Sequence, residues 1–269
     1  MKYKQVMEIK LKPDMRNGST LPRVRAVSRA ISILRAFTPS KAYLALGEIV
    51  KLTGLDAGTT RRLLVTLRDD GLVRQESTSG LYCASVGLIE LSHAVPESLS
   101  LSALLEIRIK QLAEDTQTTV YLSTVKENTA LCMARYNGGR AIEVRWWAVG
   151  EHRPFNRGTG PRVLLAFQST AKRDEIIDET LGLDVGAATL LRGELEEIRS
   201  KGAIVKHDEI APGLSAMAVP LLDVSGKIIA SISTGGLTPR YIGGERAEMQ
   251  GLMIDAATDM QKSLRGFSL

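Results

Sequence analysis

The sequence contains few aromatic residues, two cysteines and no long apolar run. Phe, Trp and Tyr make up 4% of the 269 residues, whereas hydrophobic residues reach 44%, which is enough to form a sizeable core. No apolar stretch approaches the ~20 residues of a membrane-spanning helix. Because the first twenty residues also lack the apolar core of a secretory signal, we expect a cytoplasmic protein with no membrane partner.

Residues that often build catalytic or metal sites are scattered along the chain. Cys83 and Cys132 lie far apart, which gives no support for a disulfide framework and suits a reducing compartment. The three histidines have no metal-ligand spacing with either cysteine. The segment 158–160 is not a P-loop, because the Lys-Ser/Thr that completes that motif is missing. We therefore expect no catalytic residues, no metal and no cofactor.

Positive charge is concentrated in the first third of the chain. Residues 1–90 contain fifteen Lys or Arg and eight Asp or Glu, a net charge of +7, whereas the remaining residues carry −2. This asymmetry indicates that the N-terminal part meets a polyanion such as nucleic acid. A solvated basic tail is the alternative explanation, since residues 1–20 are polar and rich in lysine.

The first 85 residues follow the order helix, helix, short turn, helix, hairpin. Apolar residues recur at helical spacing in Val27–Phe37 and again in Leu44–Gly54, where the glycine is a good helix end. Asp56 can cap the third helix by accepting backbone N–H groups. Two short strands then flank the polar turn Ser77–Gly80. This order predicts a winged helix-turn-helix at residues 21–85.

The third predicted helix has an apolar face and a basic face. Its leucines fall on the side expected to pack on the first two helices. The first turn of such a recognition helix reaches the major groove, where arginine forks suit guanine edges and phosphates. Two arginines on a solvated helix face are the plainer alternative. The predicted DNA contacts are Gly58, Thr59, Arg61, Arg62 and Arg68 on the helix, with Arg74 and Thr78 on the hairpin.

The pattern changes after the winged helix-turn-helix. We predict a flexible basic tail at 1–20, a linker helix at 86–100 whose apolar face pairs two chains, and an effector-binding and oligomerisation domain at 101–269. Strands are expected at Thr118–Asn137, as a hairpin, and at Ala141–Gly150. Antiparallel hairpins mixed with amphipathic helices predict an α+β fold, in which helices cover a sheet.

Four stretches, in this order, resemble the isocitrate-lyase-regulator (IclR) family of bacterial transcription factors. They are RAVSRAISILRAF (25–37), GLDAGTTRRLLVTLRDDGLVRQ (54–75), RPFNRGTGPRVLLAF (153–167) and HDEIAPGLSAMAVPLLDVSGKIIASISTGG (207–236). The resemblance implies a winged helix-turn-helix, a linker helix and a C-terminal GAF-like α/β effector-binding domain. It also implies binding to double-stranded operator DNA as a homodimer or dimer of dimers, modulated by a small organic acid that shifts the arrangement of the DNA-binding domains.

The resemblance further implies where the effector binds. The residues carried over are Gly158, Thr159, Gly160, Leu214, Ser215, Ala216, Ser233 and Gly235. A glycine-rich loop that leads into a helix exposes backbone N–H groups, which favour a carboxylate. The chain also departs from the family pattern: many members have a cysteine, an acidic residue and a serine where this chain has Ala216, Lys206 and Gly235.

An arginine and two tryptophans stand next to one another in the second domain. Arg145, beside Trp146 and Trp147, could hold a carboxylate against an aromatic ring, which favours an aromatic acid as effector. The alternative is that Arg145 faces solvent and one tryptophan belongs to the core. Alternation along a strand lets only one tryptophan face the pocket. Arg145 and Trp147 are the predicted effector contacts, and Trp146 remains open.

Three classes of function fit these patterns to different degrees. The prediction is a ligand-responsive repressor of a catabolic operon that senses a small organic, aromatic carboxylate. An enzyme would have to use the polar trio His207–Glu209, which is more typical of a strand edge, and would turn over substrate without DNA. A winged helix used for protein contacts would show no salt-dependent affinity for DNA.

Overall fold

The protein is described by a computed structural model in two parts joined by the predicted linker segment. The predicted tail and the end of that linker lie outside the described residues, as do residues 140–144 of the second domain. The N-terminal part is helical with a two-stranded sheet, and the C-terminal part surrounds a six-stranded sheet. The described ranges are 24–94, 101–139, 145–182 and 184–264.

The N-terminal part has the predicted order of helices and strands. Its core takes one fully buried residue from each of the first three helices, namely Ile33, Ile49 and Leu64. A backbone bridge between Leu44 and Tyr82 ties the start of the second helix to the hairpin. The winged helix-turn-helix is thereby confirmed. The elements are α1 (Arg25–Ala36), α2 (Leu46–Thr53), α3 (Ala57–Asp69), β1 (Val73–Gln75), β2 (Tyr82–Ala84) and α4 (Gly87–His93).

Helix α4 falls within the segment predicted as the linker. It is seven residues long, and its apolar residues Ile89 and Leu91 are exposed. The description ends at Ala94 and resumes at Leu101 with the next helix. The linker bounds of 86 and 100 therefore stay a prediction.

The C-terminal part is built on a six-stranded antiparallel sheet. Its strands are β3 (Thr119–Lys126), β4 (Thr129–Tyr136), β5 (His152–Arg153), β6 (Ile204–His207), β7 (Leu214–Leu222) and β8 (Ile228–Leu237). Their order across the sheet is β5-β4-β3-β8-β7-β6. The two longest strand pairings are β7 with β8 and β3 with β4, and both are hairpins. The helices are α5 (Leu101–Thr116), α6 (Thr159–Ala166), α7 (Thr170–Leu181), α8 (Val185–Lys201) and α9 (Gly243–Ser263).

Helices cover both faces of this sheet. On one face α5 and α9 pack together, with Leu112 and Met253 among their fully buried residues. On the other face α6 and α8 pack over the sheet, with Val163 and Leu195 in a second apolar cluster. This arrangement confirms the predicted α+β fold, because each sheet face buries its apolar side chains under helices.

The strand predicted at Ala141–Gly150 is wrong for the residues that are described. Positions 145–150 form no strand, with a bend at Trp147 and a turn at 149–150, and the edge strand β5 contains only His152 and Arg153. The indole Nε1 of Trp147 donates to the carbonyl of Glu151 at 3.0 Å, which holds a tight turn. Gly150 completes that turn with a φ of +82°, a value that an extended strand does not allow.

Candidate functional site

The first candidate site is the exposed start of α3. Helix α2 ends at Gly54 with a φ of +68°, and Asp56 then caps α3 by accepting a hydrogen bond from the Thr59 backbone N–H at 2.8 Å. Hydrogen bonds from the backbone N–H and from the side chain of Thr59 lower the pKa of Asp56. The buried hydroxyl of Thr60 donates to the Asp56 carbonyl at 2.9 Å. The short turn therefore fixes the direction of α3.

Gly58, Thr59, Arg61 and Arg62 lie together on the first turns of α3, and we name them the α3 surface. The glycine and both arginines are exposed, whereas Thr59 is half-buried. Arg62 Nη2 donates to Thr59 Oγ1 at 3.3 Å. Leu64 and Leu67 are buried on the opposite side. The predicted division into an apolar and a basic face is confirmed, and the arrangement could present two guanidinium groups to a polyanion.

The other predicted DNA contacts lie at the end of α3 and on the hairpin. Arg68 forms a salt bridge with Asp69 at 3.1 Å. Arg74 is exposed on β1, directly opposite Cys83 of β2, and Thr78 is exposed in the turn between the strands. Glu76 in the same hairpin accepts a hydrogen bond from Ser79. The hairpin is thus less basic than the α3 surface, so a DNA contact there would depend mainly on Arg74.

The second candidate site is a small cleft at the start of α6, which we name the α6 cleft. Its walls come from the turn before β5, the first residues of α6, the β6–β7 connection and strand β8. The lining residues are Trp146, Gly158, Thr159, Lys206, Glu209, Ile210, Leu214, Ser215, Ala216 and Gly235.

One buried hydroxyl, that of Thr159, lines the α6 cleft, and a second, that of Ser233, lies beneath it. Thr159 and Ser233 are both almost fully buried. Among the described residues, neither Thr159 Oγ1 nor Ser233 Oγ has a hydrogen-bond partner. The backbone N–H groups of Thr159 and Gly160 belong to the first turn of α6, where no intrahelical carbonyl is in reach. Unpaired buried hydroxyls are costly, so this end of the cleft is suited to a ligand oxygen.

A chain of charged residues connects the cleft to α8. Glu209 accepts hydrogen bonds from the Gly158 N–H at 2.9 Å and from Arg162 at 2.7 Å. Arg162 also pairs with Glu194 at 3.0 Å, and Glu194 pairs in turn with Lys206. Glu209 therefore faces the cleft with its charge already compensated, and the N–H of Gly158 is already taken.

Two negative findings apply to the part of the chain that the structure describes. No group of three or more His, Cys, Asp or Glu side chains there could hold a metal ion. Within the same ranges, none of the helices is both long and apolar enough to span a bilayer.

Both halves of the chain match models of one protein family. The model described as the IclR helix-turn-helix domain matches residues 26–77. The model described as bacterial transcriptional regulator IclR C-terminal matches residues 93–262. The chain belongs to the IclR family. It is a DNA-binding transcriptional regulator with a C-terminal effector domain.

Individual IclR-family proteins are similar to this chain over most of their length. The HTH-type transcriptional regulator XynR of Escherichia coli is 24% identical over 91% of this chain and 98% of its own length. The transcriptional repressor IclR of the same organism is 23% identical over 95% of both chains. The crystal structure of an IclR homolog complexed with 4-hydroxybenzoate from Microbacterium hydrocarbonoxydans matches with a TM-score of 0.76 at 18% identity, covering 90% of this chain and 99% of that one.

Six of the ten predicted effector residues line the α6 cleft of this IclR-family chain, and four do not. Gly160 and Ser233 lie beneath it, since a Cβ on Gly160 would lie 3.1 Å from Ser233 Oγ. Trp147 is fully buried in the core, and Arg145 is exposed. The six in the lining are Gly158, Thr159, Leu214, Ser215, Ala216 and Gly235.

Sequence reasoning missed four residues of the lining, which are Trp146, Lys206, Glu209 and Ile210. For Trp146 the sequence left the choice between neighbours open, and strand alternation could not decide it because the segment is a turn. Lys206 had been noted only as a departure from the family. The signal for Glu209 was its place three residues before Pro212, in the segment that connects two cleft-lining strands.

Proposed function

We propose that this regulator represses a catabolic operon and is controlled by a small organic carboxylate, most favourably an aromatic one, bound in the α6 cleft. The observation that carries the ligand part is the buried hydroxyl of Thr159, which lines the cleft at the start of α6 and has no hydrogen-bond partner among the described residues. The Ser233 hydroxyl, which also has none within those ranges, lies beneath it. A carboxylate is an acceptor with two oxygens, so it satisfies hydroxyl donors and helix N-terminal N–H groups together.

The ring of an aromatic acid would be accommodated by the apolar part of the lining. Trp146, Ile210 and Leu214 supply that surface beside the polar end. The 4-hydroxybenzoate complex of the Microbacterium protein, which has the same fold, supports this choice of ligand class. Ser233 and Gly160 would act from beneath the cleft. Arg145, which is exposed, and Trp147, which lies in the core, have less support as direct contacts.

The α3 surface is proposed to read operator DNA. Arg61 and Arg62 are exposed at the start of a capped helix, which is where recognition helices contact base edges and phosphates. Arg74 and Thr78 would add contacts from the hairpin. Repression has support from the relative described as a transcriptional repressor. We further propose that the protein acts in the cytoplasm, where operator DNA lies, and that it is a regulator and not an enzyme.

A homodimer or dimer of dimers is the proposed assembly. Val24, Val27 and Ile31 are exposed along one stripe of α1, and Ile89 and Leu91 are exposed on α4. Apolar stripes of this kind are typical of surfaces buried between subunits. Two symmetric copies would place two α3 surfaces on one duplex, which suits a palindromic operator.

Fluorescence anisotropy with labelled duplex from the region upstream of the protein's own gene tests this function. We expect tight, sequence-selective and salt-dependent binding that one acid of an aromatic carboxylate panel weakens. Arg62→Ala should cost roughly 1–3 kcal/mol of operator binding if Arg62 reads a base. Arg192→Ala is the matched control, because Arg192 pairs with Asp174 and Asp178 in the C-terminal part.

Two outcomes would contradict the proposal. Unchanged discrimination between operator and random duplex in the Arg62→Ala variant, relative to the native protein, would remove Arg62 from base reading. Binding no stronger than the non-specific level for every duplex at low salt would favour the other candidate, a winged helix that contacts proteins.

A further inference from the structure

The β6–β7 connection, residues 208–213, covers one side of the α6 cleft through Glu209 and Ile210. All of its residues are at least partly exposed, whereas Thr159 and Ser215 on the other walls are buried. Strands β7 and β8, which carry part of those walls, lie in the interior of the sheet. A segment that buries little surface opens at a lower free-energy cost than packed elements do. The β6–β7 connection is therefore the wall of the cleft that moves most readily.

The β6–β7 connection closes on itself at its two ends. The Asp208 N–H donates to the Leu214 carbonyl at 2.8 Å, and Asp208 Oδ1 accepts from the Gly213 N–H at 2.7 Å. The backbone turns sharply at the same two ends, with a φ of +56° at Asp208 and +79° at Gly213. Aspartate and glycine are residue types that tolerate this left-handed conformation. Rotation at these ends would move the connection as a unit and keep its internal hydrogen bonds.

Glu209 fastens the β6–β7 connection to the start of α6. Its carboxylate accepts the Gly158 N–H at 2.9 Å and Nη1 of Arg162 at 2.7 and 2.8 Å. Arg162 also pairs with Glu194 at 3.0 Å, so its guanidinium keeps a carboxylate partner when Glu209 leaves. The donor that then lacks an acceptor is the Gly158 N–H, and Gly158 lines the cleft. Release of Glu209 thus costs less than the loss of an isolated buried ion pair.

The α6 cleft is too small for an organic molecule while the β6–β7 connection is fastened. Its volume is about 20 Å³, which is the room that one water molecule needs. Pockets that hold small organic ligands measure about 300–1,000 Å³. A ligand can therefore enter only after one of the walls has moved.

We propose that the β6–β7 connection is a lid over the α6 cleft and that Glu209 is its latch, which keeps the lid shut while it holds the Gly158 N–H and Arg162. The ligand part of this inference rests on the proposed function. A carboxylate ligand would accept the Gly158 N–H that Glu209 gives up, and would so favour the open lid. The lid and its latch need no ligand, because they follow from contacts within the chain.

Thiol labelling at position 216 tests the latch in the full-length protein without a ligand. Ala216 lines the cleft, so the thiol of an Ala216→Cys variant should react with iodoacetamide faster when the lid opens. Adding Glu209→Gln removes the charge of the latch and keeps its size, which should raise the labelling rate about tenfold. Glu197→Gln is the matched control, because Glu197 pairs with Lys201 on the exposed side of α8 and should leave the rate unchanged.

Cys132 separates opening of the lid from unfolding of the domain. This thiol is buried in the apolar cluster between the sheet and α6, and mass spectrometry reads its labelling apart from that at position 216. Unfolding exposes both thiols, whereas opening of the lid exposes only the one at position 216. We therefore expect the ratio of the two rates to rise in Glu209→Gln. A ratio equal to that of the Glu197→Gln control would overturn the latch.

Binding of benzoate to chains with the native Ala216 separates the latch from the proposed function. With a latch, benzoate should associate faster with Glu209→Gln than with the native protein, as followed by stopped-flow tryptophan fluorescence. If benzoate binds but the labelling ratio is unchanged in Glu209→Gln, the latch is overturned and the carboxylate site stands. If the ratio rises but benzoate neither binds nor alters the affinity for operator duplex, the latch stands and benzoate is removed as a ligand of the cleft.

Discussion

Both carboxylate oxygens of Glu209 lie within 2.8 Å of Nη1 of Arg162. Since Glu209 also accepts the Gly158 N–H, this one carboxylate ties the β6–β7 connection to the first turn of α6. Arg162 is 12% exposed and Glu209 is 23% exposed, so the pair is shielded from water. Breaking this pair should therefore lower the free energy of unfolding more than breaking a surface ion pair does.

Glu209→Ala is expected to destabilise the protein by about 1–3 kcal/mol, because it leaves the N–H of Gly158 without its acceptor and removes one partner of Arg162. Urea unfolding followed by circular dichroism measures the change. Glu197→Ala is the matched control, since Glu197 pairs with Lys201 where both side chains are at least 60% exposed. An equal shift of the urea midpoint in the two variants would contradict the shielding argument.

Gly158→Ala should lower stability through both backbone strain and a clash with the indole of Trp146. Gly158 has a φ of +90° and a ψ of 155°, a region that is essentially restricted to glycine, at a cost of about 1–3 kcal/mol for other residues. Gly150→Ala is the control, because Gly150 has a φ of +82° but open space around it.

A double-mutant cycle separates the two contributions at Gly158. In a Trp146→Ala background the clash is gone and the strain remains, so Gly158→Ala should cost less there than in the native protein. Thermal unfolding of the four proteins gives the coupling. Additive costs would mean that the indole and Gly158 do not interact.

His152 should make stability depend on pH near neutrality. Its Nδ1 shares a hydrogen bond with Thr129 Oγ1 at 2.7 Å, and burial is the main cause that lowers its pKa below the ordinary value of 6.5. As the pH falls below 6.5, the unfolded chain takes up a proton that the folded protein refuses, so the free energy of unfolding decreases until the folded pKa is passed.

The measurement is the urea midpoint of native protein and of His152→Gln between pH 8 and pH 5. The native protein should lose stability over this window by more than the variant, with a difference in slope below about 1.4 kcal/mol per pH unit, the limit for one proton. Parallel curves would show that His152 does not titrate differently in the two states.

Cys132 should resist alkylation in the folded protein. It is buried, and burial raises the pKa of its thiol from 9.0 to about 12, which reduces the thiolate fraction about a thousandfold near neutral pH. Iodoacetamide labelling of a Cys83→Ser variant, followed by mass spectrometry, isolates this thiol. Labelling should be slow in buffer and rapid in guanidinium chloride. Equal rates in both would mean that Cys132 is accessible.

The N-terminal part could be predicted well because its signals are local. The cap at Asp56, the stop at Gly54 and the apolar spacing of α3 lie within a few residues of one another. The hairpin followed from a polar turn between two short apolar runs. The boundaries at residues 20, 85 and 100 stay predictions. Residues 20 and 100 lie outside the described residues.

The α6 cleft was only partly predictable because distant segments form it. Thr159, Ser215 and Gly235 were expected from the resemblance, but the cleft also depends on the turn at Trp146. That turn is held by Trp147 Nε1 and the Glu151 carbonyl, a contact that no spacing rule indicates. The sequence predicted a strand at this position. Only the structure shows that Trp146, and not Trp147, lines the cleft.

Strand β8 carries different chemistry on its two faces. Ser231 and Ser233 face α6, whereas Thr234, on the other side, contacts the sulfurs of Met249 and Met253 of α9 at 3.8 Å. Helix α9 packs on α5, where the chain resumes after the linker from the DNA-reading part. Because β8 contacts the helices on both faces of the sheet, any shift of this one strand would have to be accommodated in both helical layers of the C-terminal part.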